Sequence, residues 1–279
     1  MWHKIGVNRP SRVLTKLRSG RVAISVKLNL ADQRAALIAS QSGYDCLWLD
    51  HEHVPNSIQQ TESMIHAGLI YDVDSLVRVR KGCYSDFILP LEMGAAGIMI
   101  PHVMSVDEAK EIVYQTRFHP IGRRAWDGGN ADGGFCEIAA KDYMRQSNEN
   151  RFVILQIEDP EVMPDIEKIA ALDGVDMLLF GPGDYSQAIG EPGNTNHPEV
   201  VEARERVVSV CEQYHKFAGT VGTLENLPGL LEMGYQFVNV GADVVALTAY
   251  FKQITQTIAS DLGYELSGSA VMSESHYRA

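Results

Sequence analysis

Eight short, β-rich apolar runs recur along the whole chain, most of them followed by a segment of helical character. This alternation narrows the possible folds more than any other feature. The runs are Val22–Leu28, Asp45–Asp50, Ser75–Val79, Gly97–Pro101, Phe152–Ile157, Asp176–Phe180, Phe217–Val221 and Gln236–Val240. Several are apolar almost throughout, as parallel strands covered on both faces are. Ser105-Val-Asp-Glu108 reads as a capping box opening a helix through Arg117. Asp159-Pro160 places a cap and an N1 proline directly after the fifth run. Pro198–His215 and Val244–Leu262 carry helical spacing, and Pro90 predicts a short or kinked third helix.

Eight units without a composition break predict one closed α/β structure, a TIM (β/α)₈ barrel forming a single domain over residues 1–264. The alternative is an open doubly wound sheet, which would announce a Gly-rich first turn; Asn29-Leu-Ala-Asp32 is not one. Trp126–Phe135, rich in Gly and Asp, predicts a long loop. It is either a plain surface excursion or a lid or inter-subunit arm. Residues 265–279 are small and polar and read as a flexible tail.

Lys plus Arg number 24 against 36 Asp plus Glu, a net charge of −12 that repels phosphate backbones and argues against a nucleic-acid partner. A small anionic substrate would need a local cation in this acidic background. Cys46, Cys83, Cys136 and Cys211 are scattered, with neither zinc nor disulfide spacing. Met1–Arg21 is polar and basic and does not resemble a secretory signal. No segment approaches the roughly 18 to 20 apolar residues of a membrane span. The expected compartment is the cytoplasm.

In a barrel, chemistry comes from the C-terminal ends of the strands. Here those ends are Trp48-Leu-Asp50-His51-Glu52-His53, Val77-Arg78, Pro101-His102, Gln156-Ile-Glu158 and Gly181-Pro-Gly-Asp184. Glu158 and Asp184 close neighbouring strands, which lie about 4.8 Å apart. Two carboxylates that close call for a cation or a shared proton. Without a His or Cys cage they suit a hard ion such as Mg²⁺ or Mn²⁺, which a 2-oxo acid can chelate. In the competing reading, Glu158 caps a helix and Asp184 orders a turn. The glycines of Gly181-Pro-Gly183 let a backbone approach a ligand, and exposed N–H groups there could bind a carboxylate. Arg78 could neutralise a developing enolate oxygen, or it could be a buried ion pair. His53 could act as general base or acid with Asp50 orienting it, or be a solvated bystander.

These motifs carry a resemblance over about Ser19–Leu262. With Asp50-His-Glu-His53, Val77-Arg78, Gly122-Arg-Arg124, Gln156-Ile-Glu158, Gly181-Pro-Gly-Asp184-Tyr-Ser186 and Val240-Gly-Ala-Asp243, the chain resembles the HpcH/HpaI family of metal-dependent pyruvate aldolases. The resemblance implies a TIM barrel of the phosphoenolpyruvate/pyruvate type, with its last helix swapped in a hexamer built as a trimer of dimers. It implies a class II carbon–carbon lyase that reversibly cleaves a 4-hydroxy-2-oxo acid to pyruvate and an aldehyde. By position, Glu158 and Asp184 would hold the divalent metal (Mg²⁺, with Mn²⁺, Co²⁺ or Zn²⁺ as alternatives) and Arg78 would stabilise the enolate. His53 would be the acid/base supported by Asp50, while Gln156, Gly183 and Asp184 would hold substrate.

Three departures stand out. Glu92 replaces an Asp that pairs with the catalytic His. His102, where an apolar residue is usual, resembles the macrophomate synthase branch and is expected to bind substrate, as oxaloacetate decarboxylation or enolate coupling would need. Lys27 stands in place of a Trp, as a cation lining the pocket rather than a Schiff-base lysine. A binding protein with lost chemistry would have lost a site residue. A CoA-ester lyase would need a basic nucleotide patch, and none is visible.

Overall fold

The structure is a computed structural model that describes residues 8–263. Eight parallel strands close into a barrel in sequence order: β1 (Ala23–Leu28), β2 (Cys46–Asp50), β3 (Asp74–Arg78), β4 (Gly97–Ile100), β5 (Phe152–Ile157), β6 (Met177–Phe180), β7 (Phe217–Gly222) and β8 (Phe237–Ala242). Each expected run contains its strand to within a residue or two at the ends. Helices pack outside: α2 (Gln33–Gln41), α3 (Ile58–Ile70), α4 (Tyr84–Glu92), α5 (Val106–Thr116), α6 (Ala140–Asn150), α7 (Ile166–Ala170), α8 (Pro182–Ala188), α9 (Pro198–Gln213), α10 (Leu227–Met233) and α11 (Asp243–Leu262).

Before them α1 (Arg12–Arg18) stands apart, with Ser11 as its N-cap and Val13, Leu14 and Leu17 buried. These three join Cys46, Trp48, Leu76, Phe152 and Ile154 in the inner cluster, so α1 closes the barrel at the strands' N-terminal ends. Two acidic residues there anchor it. Asp74 takes Ser11 at 2.6 Å and Arg9 at 2.6 Å, and Asp45 takes Lys16 at 2.7 Å. The basic N-terminal residues thus seat a helix that the sequence motifs do not announce.

Alternation within the strands separates two cores. Leu47, Leu49, Val77, Ile98, Val153, Leu155 and Phe180 pack outward under the helices. Trp48, Leu76, Met99, Ile154 and Leu179 fill the interior. Two residues further along the inner face of β2, β3 and β5 stand Asp50, Arg78 and Gln156, each almost fully buried. The period of two therefore delivers charge and hydrogen-bonding capacity to one rim above an apolar plug.

Local details differ from expectation. At α5, Ser105 accepts from the Glu108 amide at 3.2 Å, but the Glu108 carboxylate accepts from the Met104 amide at 2.9 Å instead of completing the box. After β5 the chain forms a 3₁₀ turn over Pro160–Asp165 before α7, and the Asp159 side chain makes no cap bond. Helix α4 is short and contains Pro90. Between α5 and α6, the loop holding Trp126–Phe135 is anchored by Asp132, which is 1% exposed. Asp132 accepts from Arg151 at 2.7 Å, Asn8 at 2.8 Å, Tyr143 at 3.0 Å and Ser147 at 3.1 Å, with Arg124 at 3.3 Å. Residues 264–279, which hold the expected tail, lie outside the described residues. No helix among the described residues is long and apolar enough to cross a membrane.

Candidate active site

Asp50 and Arg78 are sheet partners at the ends of β2 and β3. Their side chains form a fork-to-carboxylate pair: Nε donates to Oδ1 at 3.0 Å and Nη2 to Oδ2 at 2.5 Å. Lys27, from β1, brings its Nζ to 2.9 Å from Asp50 Oδ2. Burial alone would raise the Asp50 pKa, but the hydrogen bonds and charges of Arg78 and Lys27 hold it well below the usual carboxylate range. Arg78 Nη1 lies 2.9 Å from Glu52 Oε2. Two of the five guanidinium N–H donors are hydrogen-bonded to Asp50, and the Glu52 contact is an ion pair without hydrogen-bond geometry, leaving three N–H groups for a ligand. Beneath them the Trp48 ring lies 5.2 Å from the Arg78 guanidinium carbon and 6.0 Å from the Lys27 ammonium. The buried-ion-pair reading of Arg78 is thus realised in the geometry. The free donors leave room for the catalytic reading beside it.

Across the rim, Glu158 directly follows β5 and is 1% exposed. Burial, opposed by the amide and charge of His102 and reinforced by the charges of Asp184 and Glu52, pushes its pKa up to about 7. Gln156 Nε2 donates to Glu158 Oε2, and the His102 amide donates to Oε1 at 2.9 Å. Gln156 Oε1 is buried without a partner among the described residues. A Cβ on Gly181 would stand 2.6 Å from Glu158 Oε2 and 3.0 Å from Glu158 Cβ, so a side chain there would push the carboxylate aside. Asp184 is exposed on α8, and Gly183 beside it borders open space.

His102 has a left-handed backbone, φ 48°, a conformation that non-glycine residues seldom adopt. Its Nδ1 lies 3.0 Å from Asp159 Oδ2 and 3.6 Å from Glu158 Oε1, and its Nε2 lies 3.8 Å from Glu52 Oε1. Burial works against its protonation, but Glu158, Asp159 and Glu52 outweigh it and raise its pKa. Asp159, expected to cap a helix, instead holds this ring. Three carboxylates balance the charge of a protonated His102, so it adds less cationic character to the pocket than its residue type implies.

Two expected pairings are not formed. Asp50, engaged by Arg78 and Lys27, does not orient His53, whose Nε2 meets Glu52 at 3.4 Å and whose side chain is 56% exposed. Glu92 does not reach His53 either; its nearest ionic partner is Arg124, at 4.0 Å. Glu52 is the residue missing from the expected set. It touches Arg78, His53 and His102 together, and the inward period Trp48, Asp50, Glu52 is the signal that points to it. His51 turns away, its ring nitrogen 2.6 Å from the Thr61 hydroxyl.

A closed eight-stranded parallel barrel defines the class, a (β/α)₈ barrel, and its opposed charges lie on the strand-end rim where such barrels carry their chemistry. Comparison with known proteins narrows this. Residues 25–249 match the HpcH/HpaI aldolase/citrate lyase family. The hydroxypyruvate/pyruvate aldolase of Pseudomonas aeruginosa is 32% identical over 245 residues, covering 88% of this chain and 91% of that protein. An HpcH/HpaI aldolase from Desulfitobacterium hafniense superposes with a TM-score of 0.84 at 28% identity, covering 92% of this chain and 98% of that one. Macrophomate synthase superposes with a TM-score of 0.79 at 26% identity, covering 94% of each chain. The chain belongs to the HpcH/HpaI aldolase/citrate lyase family.

Proposed function

We propose that this chain is a divalent-metal-dependent carbon–carbon lyase that reversibly cleaves a 4-hydroxy-2-oxo acid into pyruvate and an aldehyde. The observation carrying this reading is the buried Glu158 carboxylate, which feels the charge of Asp184, at a strand end of the barrel that also carries the Asp50–Arg78 pair. The residues fit a hard cation. Glu158 is buried with a carboxylate neighbour whose charge it feels, and the unpartnered Gln156 Oε1 adds a further oxygen beside it. No third His, Cys, Asp or Glu joins them to complete a cage among the described residues, which leaves positions for water and a chelating substrate. Mg²⁺ suits this all-oxygen set.

Such an ion would supply stabilisation of negative charge developing on the keto oxygen. Arg78, its orientation set in advance by Asp50 and Glu52, would offer its remaining N–H groups to the same charge. Gln156 and Gly183 border the space for the oxo acid. His53, on the open side, takes the proton of the 4-hydroxyl as the C3–C4 bond breaks. The bond's electron pair forms the enolate, and a proton returned to C3 yields pyruvate. His102 serves this arrangement chiefly through its amide, which orients Glu158. The exposed apolar side of α11 supports assembly with further copies, a hexamer of three dimers.

Oxaloacetate decarboxylation reaches the same enolate, and the likeness to macrophomate synthase, in the branch that His102 resembles, favours it as a second reading. Pyruvate release from 4-hydroxy-2-oxo acids and from oxaloacetate, measured side by side with and without EDTA, separates the two. Hydroxy-oxo acids should be the better substrates by kcat/KM, and EDTA should stop turnover until Mg²⁺ or Mn²⁺ is restored. An advantage of about a hundredfold for oxaloacetate would overturn the aldolase reading. Undiminished activity in EDTA would overturn the metal.

A further inference from the structure

The seam between β1 and β8 contains an irregularity. Ser25 pairs with Asn239, but Lys27 pairs with Ala242, so Val240 and Gly241 on β8 stand against Val26 alone on β1. Gly241 accommodates the extra residue at φ 89°. Such a bulge bends its strand and re-aims the residues beyond it. Here it swings the first residue of α11 over the turn that leaves β1. Both Asp243 carboxylate oxygens are occupied by that turn: Oδ1 accepts from the Asn29 amide at 2.8 Å and Oδ2 from the Leu30 amide at 2.9 Å. Oδ1 also accepts from the Val244 amide at 2.7 Å. No Lys, Arg or His pairs with Asp243 among the described residues; its charge is committed to backbone N–H groups, which hold it more tightly than neutral acceptors would be held.

Asn29 and Leu30 come directly after the end of β1, two and three residues beyond Lys27. The stem of Lys27 is flexible, so the backbone of β1 fixes only the point from which its ammonium reaches Asp50. Lys27 is also the cation with the more exposed side chain of the two on Asp50, at 22% against 5% for Arg78.

We propose that Asp243 is a positioning residue for Lys27: by gripping the β1–α2 turn it sets the ammonium against Asp50, where an incoming anionic substrate meets it. This rests on the reading of the rim as the active site.

The test is a double-mutant cycle of Asp243→Ala, Lys27→Met and both together, with Asp243→Asn as a milder variant. Each is assayed for pyruvate formation from a 4-hydroxy-2-oxo acid and its mass in solution is measured. Asp243→Ala should raise KM about tenfold with kcat within about threefold, the same split as Lys27→Met. The double variant should be no worse than Lys27→Met alone, and Asp243→Asn, which keeps one acceptor oxygen, should fall between. Losses that multiply in the double variant would overturn the proposal, because Asp243 would then act independently of Lys27. So would a loss in both Asp243 variants confined to kcat or accompanying dissociation of the assembly. If the unaltered protein turns over no 2-oxo acid, the reading of the rim fails first and takes the proposal with it.

Discussion

Arg78 and Asp50 each close an apolar strand, and that position alone marks both as rim residues. What position cannot convey is how their partners share them. Asp50 spends its charge on Arg78 and Lys27, leaving His53 to Glu52. Replacing Arg78 with Ala would leave Asp50 to Lys27 alone and take from Glu52 its nearest cation, so Arg78→Lys is the cleaner probe: it keeps a cation but loses the planar fork. Its kcat should fall about a hundredfold, as for loss of an oxyanion donor, with the far-ultraviolet spectrum unchanged. A rise in KM alone would reassign Arg78 to substrate binding. Asp50 also has an acid signature. Its folded pKa is depressed, so its contribution to stability is in place above the ordinary value of 3.8 and is lost as pH falls through the lower folded value. Urea midpoints measured across the acid range should therefore fall less steeply for Asp50→Asn than for the unaltered protein. An identical slope would contradict the assignment. Glu52 was within reach of the same reasoning, since the inward alternation of β2 continues one step into the loop. The fate of His102 was not, because its left-handed backbone and its tie to Asp159 depend on a loop packed from another strand.

Among the elements, the strands were the most legible, because burial on both faces writes apolar runs that turns then punctuate. Helix α1 was hidden by its composition: three buried apolar residues stand among Arg12, Lys16 and Arg18. It becomes intelligible only beside Asp45 and Asp74, acidic residues that the sequence places far away. The Gly-rich loop was visible as a loop but not as an anchored one. Asp132 holds Arg124 and Arg151 in a site with almost no water access, where burial would raise its pKa and the two guanidinium charges win and lower it. Removing that carboxylate leaves two buried cations, so Asp132→Ala should cost about 3 to 5 kcal/mol by urea unfolding. A loss below about 1 kcal/mol would show the loop to be dispensable to the fold.

For the whole molecule, α11 is the unfinished part. It is 20 residues long with none buried, and Val245, Leu247, Tyr250, Phe251, Ile254 and Ile258 are all exposed. In the proposed assembly this apolar face is an association surface, and a second copy is the occupant that the family resemblance implies. Tyr250→Glu with Phe251→Glu should reduce the mass measured by light scattering while leaving the barrel folded, and an unchanged mass would exclude α11 from the interface. The central claim concerns Glu158 and Asp184, and it is tested most directly by titrating Mn²⁺ into the protein and into Glu158→Ala and Asp184→Ala. The account predicts saturable binding by the unaltered chain, and loss of both binding and metal-dependent pyruvate formation in each variant, with the fold retained. Undiminished Mn²⁺ affinity in both variants would contradict it.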